Sequence, residues 1–142
     1  MNEYKSFAEI EAVVRRFEAC EYTKEEFVHA RHLAVAAWYL WTSSPLEALD
    51  RMRSMLLQFT AHHGVKGYHE TITQFWLQVV EEQLGSPRSE SNFIARVNHL
   101  VERLGDKDLL FSYYSRERVL SEEARARWIE PDLKNRAVSP AK

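Results

Sequence analysis

The sequence predicts an all-α fold: a compact helical bundle of about five to seven helices, with a four-helix core and a C-terminal helical extension. Three observations carry this expectation. Apolar residues recur at spacings of three and four along most of the chain. Turn chemistry is sparse, with four glycines, four prolines and neither Asn-Gly nor Asp-Gly. No stretch alternates apolar and polar residues strictly enough to read as a strand.

The first helix is expected from Ser6 to Cys20, with Phe7, Ile10, Val13, Val14 and Phe17 on its buried face. The second is expected to begin at Thr23, because Thr23 and Glu26 have the spacing of a capping box, and to run to Thr42. It is apolar almost all round, which makes it the central helix. The third has Ser44 as its cap, Pro45 in the first helical position and Glu47 three residues after the cap. Leu46, Leu49, Met52, Leu56 and Phe59 form its stripe, and Gly64 stands where a left-handed terminator belongs. The fourth starts at His69 or Glu70 and ends at Gly85, and the fifth covers Asn92 to Leu104. Asp106 caps a short sixth helix. A last short helix is capped by Ser121 and stops before Pro131. Residues 1–133 read as one helical domain, and 134–142 as a disordered tail without apolar rhythm.

Composition narrows the function. A net charge of −2 lacks the concentrated basic face that nucleic acid requires. Arg116, Arg118, Arg125 and Arg127 are interleaved with glutamates, the pattern of a solvated face. One cysteine, Cys20, permits no intrachain disulfide and suits a reducing compartment, so a cytoplasmic location is expected. Cys20 has no motif around it and reads as a packing residue. The longest apolar run, Leu33 to Trp41, is too short to span a bilayer, so no membrane partner is expected. The oligomeric state is left open.

Five of the six histidines lie between positions 29 and 69. His29 and His32, three residues apart, face one way on a helix. Continuing their line gives Glu26 one way and Ala36 and Tyr39 the other. His69 and Glu70 open the fourth helix, where the helix dipole favours a carboxylate and a neutral imidazole. Were these helices to touch, His29, His32, His69 and Glu26 would form a ligand set for a transition metal ion such as iron, manganese, zinc or copper. His29, His69, Glu70 and Tyr39 would supply acid–base chemistry, with Tyr68 against a substrate. The di-iron Glu-x-x-His pattern occurs once only, at Glu26–His29, and the zincin His-Glu-x-x-His is absent. Two functions follow from this set. One is a metal-dependent or acid–base enzyme acting on a small molecule. The other is a non-catalytic module that binds a small ligand or a protein, its histidines being structural hydrogen-bonders. His62 and His63 beside Gly64, and His99 on the fifth helix, fit structural roles. A second candidate is the stretch FSYYSRERVLS, where Arg116 and a tyrosine hydroxyl would make a lid or anion clamp.

Several segments together carry a resemblance: Phe27–Leu33, Ala37–Leu40, Gly67–Thr73 with Phe75-Trp76, Asp106–Asp108, Tyr114–Arg118 and Trp128–Leu133. The chain resembles a family of short bacterial helical proteins with HAxHL and GYHETIT motifs, over positions 17 to 133. The family pattern has a small residue where this chain has Arg31. The resemblance implies kinship and no particular reaction.

Overall fold

The structure is a computed structural model, and residues 3–134 are described. These contain eight α-helices, one 3₁₀-helix and no strand.

Helix α1 covers Phe7–Glu18, and the Ser6 hydroxyl accepts from the Glu9 amide at its start. Its end has a property the sequence conceals. Cys20 takes φ +57°, the left-handed conformation that glycine adopts most cheaply. The Glu21 amide donates to Arg16 O and the Cys20 amide to Phe17 O, the paired bonds of a Schellman stop. Cys20 is therefore a helix terminator, not only a packing residue.

The expected helix from Thr23 does not form as such. The capping box is present: Glu26 N donates to Thr23 Oγ1, and Thr23 N donates to Glu26 Oε1. It closes a single turn. Val28 is then extended, with ψ 167°, and α2 covers His29–Thr42. Packing explains the interruption. The Phe27 ring stacks on Phe17 at 4.3 Å and leans on Phe59 at 5.3 Å. Arg31 Nη1 donates to Glu26 O, taking the acceptor that a continuous helix would have used. The first-turn signal is local and real, but the burial of one aromatic ring overrides its continuation.

Helix α3 covers Pro45–His62 with the full capping box of Ser44 and Glu47, and Gly64, at φ +66°, closes it. Helices α4, Glu70–Leu84, and α5, Glu90–Arg103, follow. Helix α2 touches α1, α3, α4 and α5, as expected of a central helix. The tryptophans Trp38 and Trp41 pack with Phe7 and Phe93, so this aromatic set is core. Leu46, expected in the buried stripe of α3, is about half exposed, at 56%, and so is Val28, at 50%, just before α2.

After the 3₁₀ turn Lys107–Leu109 come three short helices: α6 at Leu110–Tyr113, α7 at Arg116–Val119 and α8 at Glu122–Ala126. Helix α7 falls in the stretch expected to be a lid. The segment is instead bonded down over α4. Thr71 Oγ1 donates to Arg127 O and accepts from Ile129 N, and the fully buried Tyr114 donates to Ile129 O. Arg116 lies over the Phe111 ring. The last turn expected through Ile129 ends at Ala126, because residues 127–130 leave the helix to make these bonds. Asp132 accepts from Ser115 and Leu133 N donates to Tyr113 O. Of the tail expected at 134–142, only Lys134 lies among the described residues. Among the described residues no helix is long and apolar enough to cross a membrane.

Candidate functional site

A cavity of about 690 Å³ opens beside the first turns of α2, between α3, α4 and the 3₁₀ turn. That volume is in the range of small-molecule sites. Helix α2 gives it His29, His32, Leu33 and Ala36, and α3 gives Met52, Leu56 and Phe59. Helix α4 adds Ile72, Trp76 and Leu77, and Phe111 closes one side. Four exposed charged residues also line it, Lys24 and Glu25 on one segment, Lys107 and Asp108 on the other.

The structure brings His29, His32 and His69 to this one cavity, but it gives each a different state. His69 is the N-cap of α4. Its Nδ1 accepts from Ile72 N at 3.1 Å, and its Nε2 meets Val119 O at 2.6 Å. A carbonyl can only accept, so Nε2 carries the proton and both ring nitrogens are committed. Burial, opposed by the Val119 bond and assisted by Arg125, holds His69 below the usual imidazole range. A neutral His69 was expected from its helix position. An available one was expected too, and the backbone takes both nitrogens instead.

His29 has one nitrogen committed. Its Nε2 donates to Leu104 O at 2.9 Å, which leaves Nδ1 as an acceptor, and its ring meets Trp76 edge to face at 4.5 Å. Burial lowers its pKa. The His32 imidazole makes no hydrogen bond to any described residue, although its backbone amide donates to Val28 O. Its ring rests on Phe27 at 4.0 Å. Burial, with a smaller push from His29, takes its pKa down to about 4. None of the three free nitrogens of the pair is among the sealed, unpartnered polar atoms, so both imidazoles remain open to the cavity.

Glu26 is exposed, off α2 and not on the cavity wall. Its carboxylate is held below the usual range mainly by the Thr23 amide. Tyr39 is fully buried and donates to Glu18 Oε2 at 2.6 Å, with Arg51 over its ring. It shares a face with His32 but lies seven residues, about 10 Å, further along α2, where it meets Glu18 of α1 and not the cavity wall. Burial and then the Glu18 carboxylate raise its pKa.

Glu70 is 7% exposed and also off the cavity wall. Its Oε1 accepts from Arg53 Nε at 3.0 Å and from Tyr68 at 2.6 Å. Its Oε2 accepts from Arg53 Nη2 at 2.7 Å and from Gln74 at 2.6 Å. Burial raises the carboxyl, but these four donors outweigh it and bring the pKa to about 2. Glu70 is thus the fixed anion of a structural network and not a proton carrier.

The expected metal set is accordingly not assembled. Among the described residues no group of three or more His, Cys, Asp or Glu side chains is placed to hold a metal ion. Glu26 leaves with the broken helix, and His69 has no lone pair to give. His63 and His62 sit at the α3 terminus, His63 donating to Tyr22 O at 2.9 Å with its ring on Phe59. Sequence reasoning missed Arg53, which fixes Glu70, and Trp76 and Phe111 as cavity walls. Arg53 lies 17 positions from Glu70 on another helix, and no local spacing advertises such a pair. No family model, curated protein or solved structure matches the chain.

Proposed function

We propose that the protein is a non-catalytic small-molecule binding module whose ligand sits in the cavity beside α2. The observation that carries this reading is His32: an imidazole without a hydrogen-bond partner among the described residues, set in a mostly apolar wall. A ligand that meets nitrogens with no protein partner, in an otherwise apolar wall, gains a hydrogen bond there without displacing one. Of the four residues the sequence offers for acid–base work, His69, Glu70 and Tyr39 are held in other bonds, and His29 alone keeps a free nitrogen in the cavity beside His32. This favours binding over catalysis. The lone cysteine supports a place in the cytoplasm.

The test is fluorescence titration with the neutral apolar dye N-phenyl-1-naphthylamine. One saturable site is expected. Ala36→Phe and Leu56→Trp, which fill the cavity from α2 and α3, should each remove it while the circular dichroism melt stays cooperative. Saturable binding that survives both substitutions, or no saturable binding by the unaltered chain, overturns the reading.

A further inference from the structure

The cavity wall can be sorted by what hydrogen bonding it still has to offer. Among its uncharged polar groups, the hydroxyl hydrogens are already directed at the protein. Thr60 Oγ1 donates to Leu57 O, Thr73 Oγ1 to His69 O, and Tyr68 to Glu70. His69 has both nitrogens engaged. What remains is the His29 Nδ1 acceptor, the Trp76 indole N–H donor and the two nitrogens of His32, one donor and one acceptor in the neutral ring. Each imidazole therefore keeps an acceptor nitrogen for a hydrogen that a ligand brings.

Charge points the same way. Two cations and two anions line the cavity, Lys24 and Lys107 against Glu25 and Asp108, and all four are exposed. They sum to zero charge, so a carboxylate or phosphate gains no net attraction from the lining. The neutral state of both imidazoles agrees with this.

Shape supplies the third constraint. Phe27, Phe59, Trp76 and Phe111 line the cavity along with the two imidazole rings. His32 already lies against Phe27, and His29 against Trp76. Flat aromatic walls gain most from a flat aromatic guest, through offset-stacked and edge contacts beyond simple area burial.

Resting on the cavity as a binding site, we propose that its ligand is an uncharged planar aromatic molecule with a ring hydroxyl, whose O–H is donated to His32. The O–H hydrogen matches the acceptor nitrogen left on that ring; the ring N–H points elsewhere and is not met by the same hydroxyl.

The test is isothermal titration calorimetry of the full chain at pH 7 with four probes. 2-Naphthol has the ring and the O–H. 2-Methoxynaphthalene has the ring without the donor, 2-naphthoate adds an anion, and decan-1-ol keeps the hydroxyl without the ring. The expected result is that 2-naphthol binds about tenfold or more tightly than the other three, the scale of one hydrogen bond to a buried group. His32→Phe should cut 2-naphthol affinity by about tenfold and change 2-methoxynaphthalene by less than about threefold. If His32→Phe fails to fold, His32→Leu makes the same comparison. Equal binding of 2-naphthol and its methyl ether, tightest binding of 2-naphthoate or decan-1-ol, or indifference to both substitutions overturns the proposal and leaves the binding module standing. Absence of saturable binding by all four probes overturns both.

Discussion

The two ends of the histidine-rich region use the same side chain in opposite ways. At the joint between α3 and α4, His63 and His69 are tied to backbone carbonyls, and His69 also caps a helix with its second nitrogen. On the first turn of α2, His29 keeps one nitrogen free and His32 keeps two. Burial is similar in kind and lowers the pKa of His29, His32 and His69 alike. The difference is hydrogen-bond saturation. An imidazole with both nitrogens satisfied by backbone is part of the scaffold. One whose nitrogens open into a cavity without a protein partner is where a ligand can add a bond.

The comparison breaks most forcefully at Glu70, which anchors the joint. Glu70→Gln removes the charge but leaves Arg53 half-buried, and should cost about 3 kcal/mol, seen as a melting point lower by about 10 °C. The sign of its pH dependence follows from a folded pKa below the ordinary one. The stabilisation is full above about pH 4.5 and is lost as pH falls toward about 2, so the gap between variant and parent should close in acid. An unchanged melting point would mean that Glu70 is not the fixed anion described here.

The next effect sets the two histidine classes side by side. His69→Ala removes a cap and leaves Val119 O without its donor, at a cost of about 2 kcal/mol in urea unfolding. His32→Gln should cost less than about 0.5 kcal/mol, because no bond is lost. Equal costs would erase the distinction.

His32 should be visible in the pH dependence of stability. Its folded pKa, about 4, lies below the unfolded value, so the unfolded chain binds a proton first. Its contribution is full above about pH 6.5 and is lost as pH falls toward 4. Since the ring stays partly open to solvent, about 1.5 kcal/mol is expected over that window. Urea unfolding of His32→Gln at pH 7 and pH 4.5 should show a shallower fall than the parent. Equal slopes would show that His32 is not held neutral.

The smallest effect is a control away from both regions. Cys20→Gly relieves a left-handed non-glycine residue and should raise stability by about 1 kcal/mol. Dye affinity should not change, which separates stability from the cavity.

Helix ends were legible in the sequence because capping is local chemistry. Ser6, Ser44 with Pro45 and Glu47, Gly64, Gly85 and Ser121 all act within a few residues of their own positions. The break between Phe27 and His29 was not legible, because the force behind it is packing against Phe17 and Phe59 on other helices. That break alone detaches Glu26 from the histidine line. Residue types near the cavity were legible, since His29, His32 and His69 do reach one place. Their availability was not. The groups that occupy them are backbone carbonyls of Leu104 and Val119, 75 and 50 positions away, and a carbonyl has no signature in sequence.

Long-range ¹H–¹⁵N spectra of the imidazoles, recorded at pH 7 with and without N-phenyl-1-naphthylamine, test the contrast most directly. His69 should remain a fixed Nε2–H tautomer throughout, and the His32 nitrogens should shift as the dye saturates. A responding His69 beside an indifferent His32 would contradict the assignment of scaffold and site.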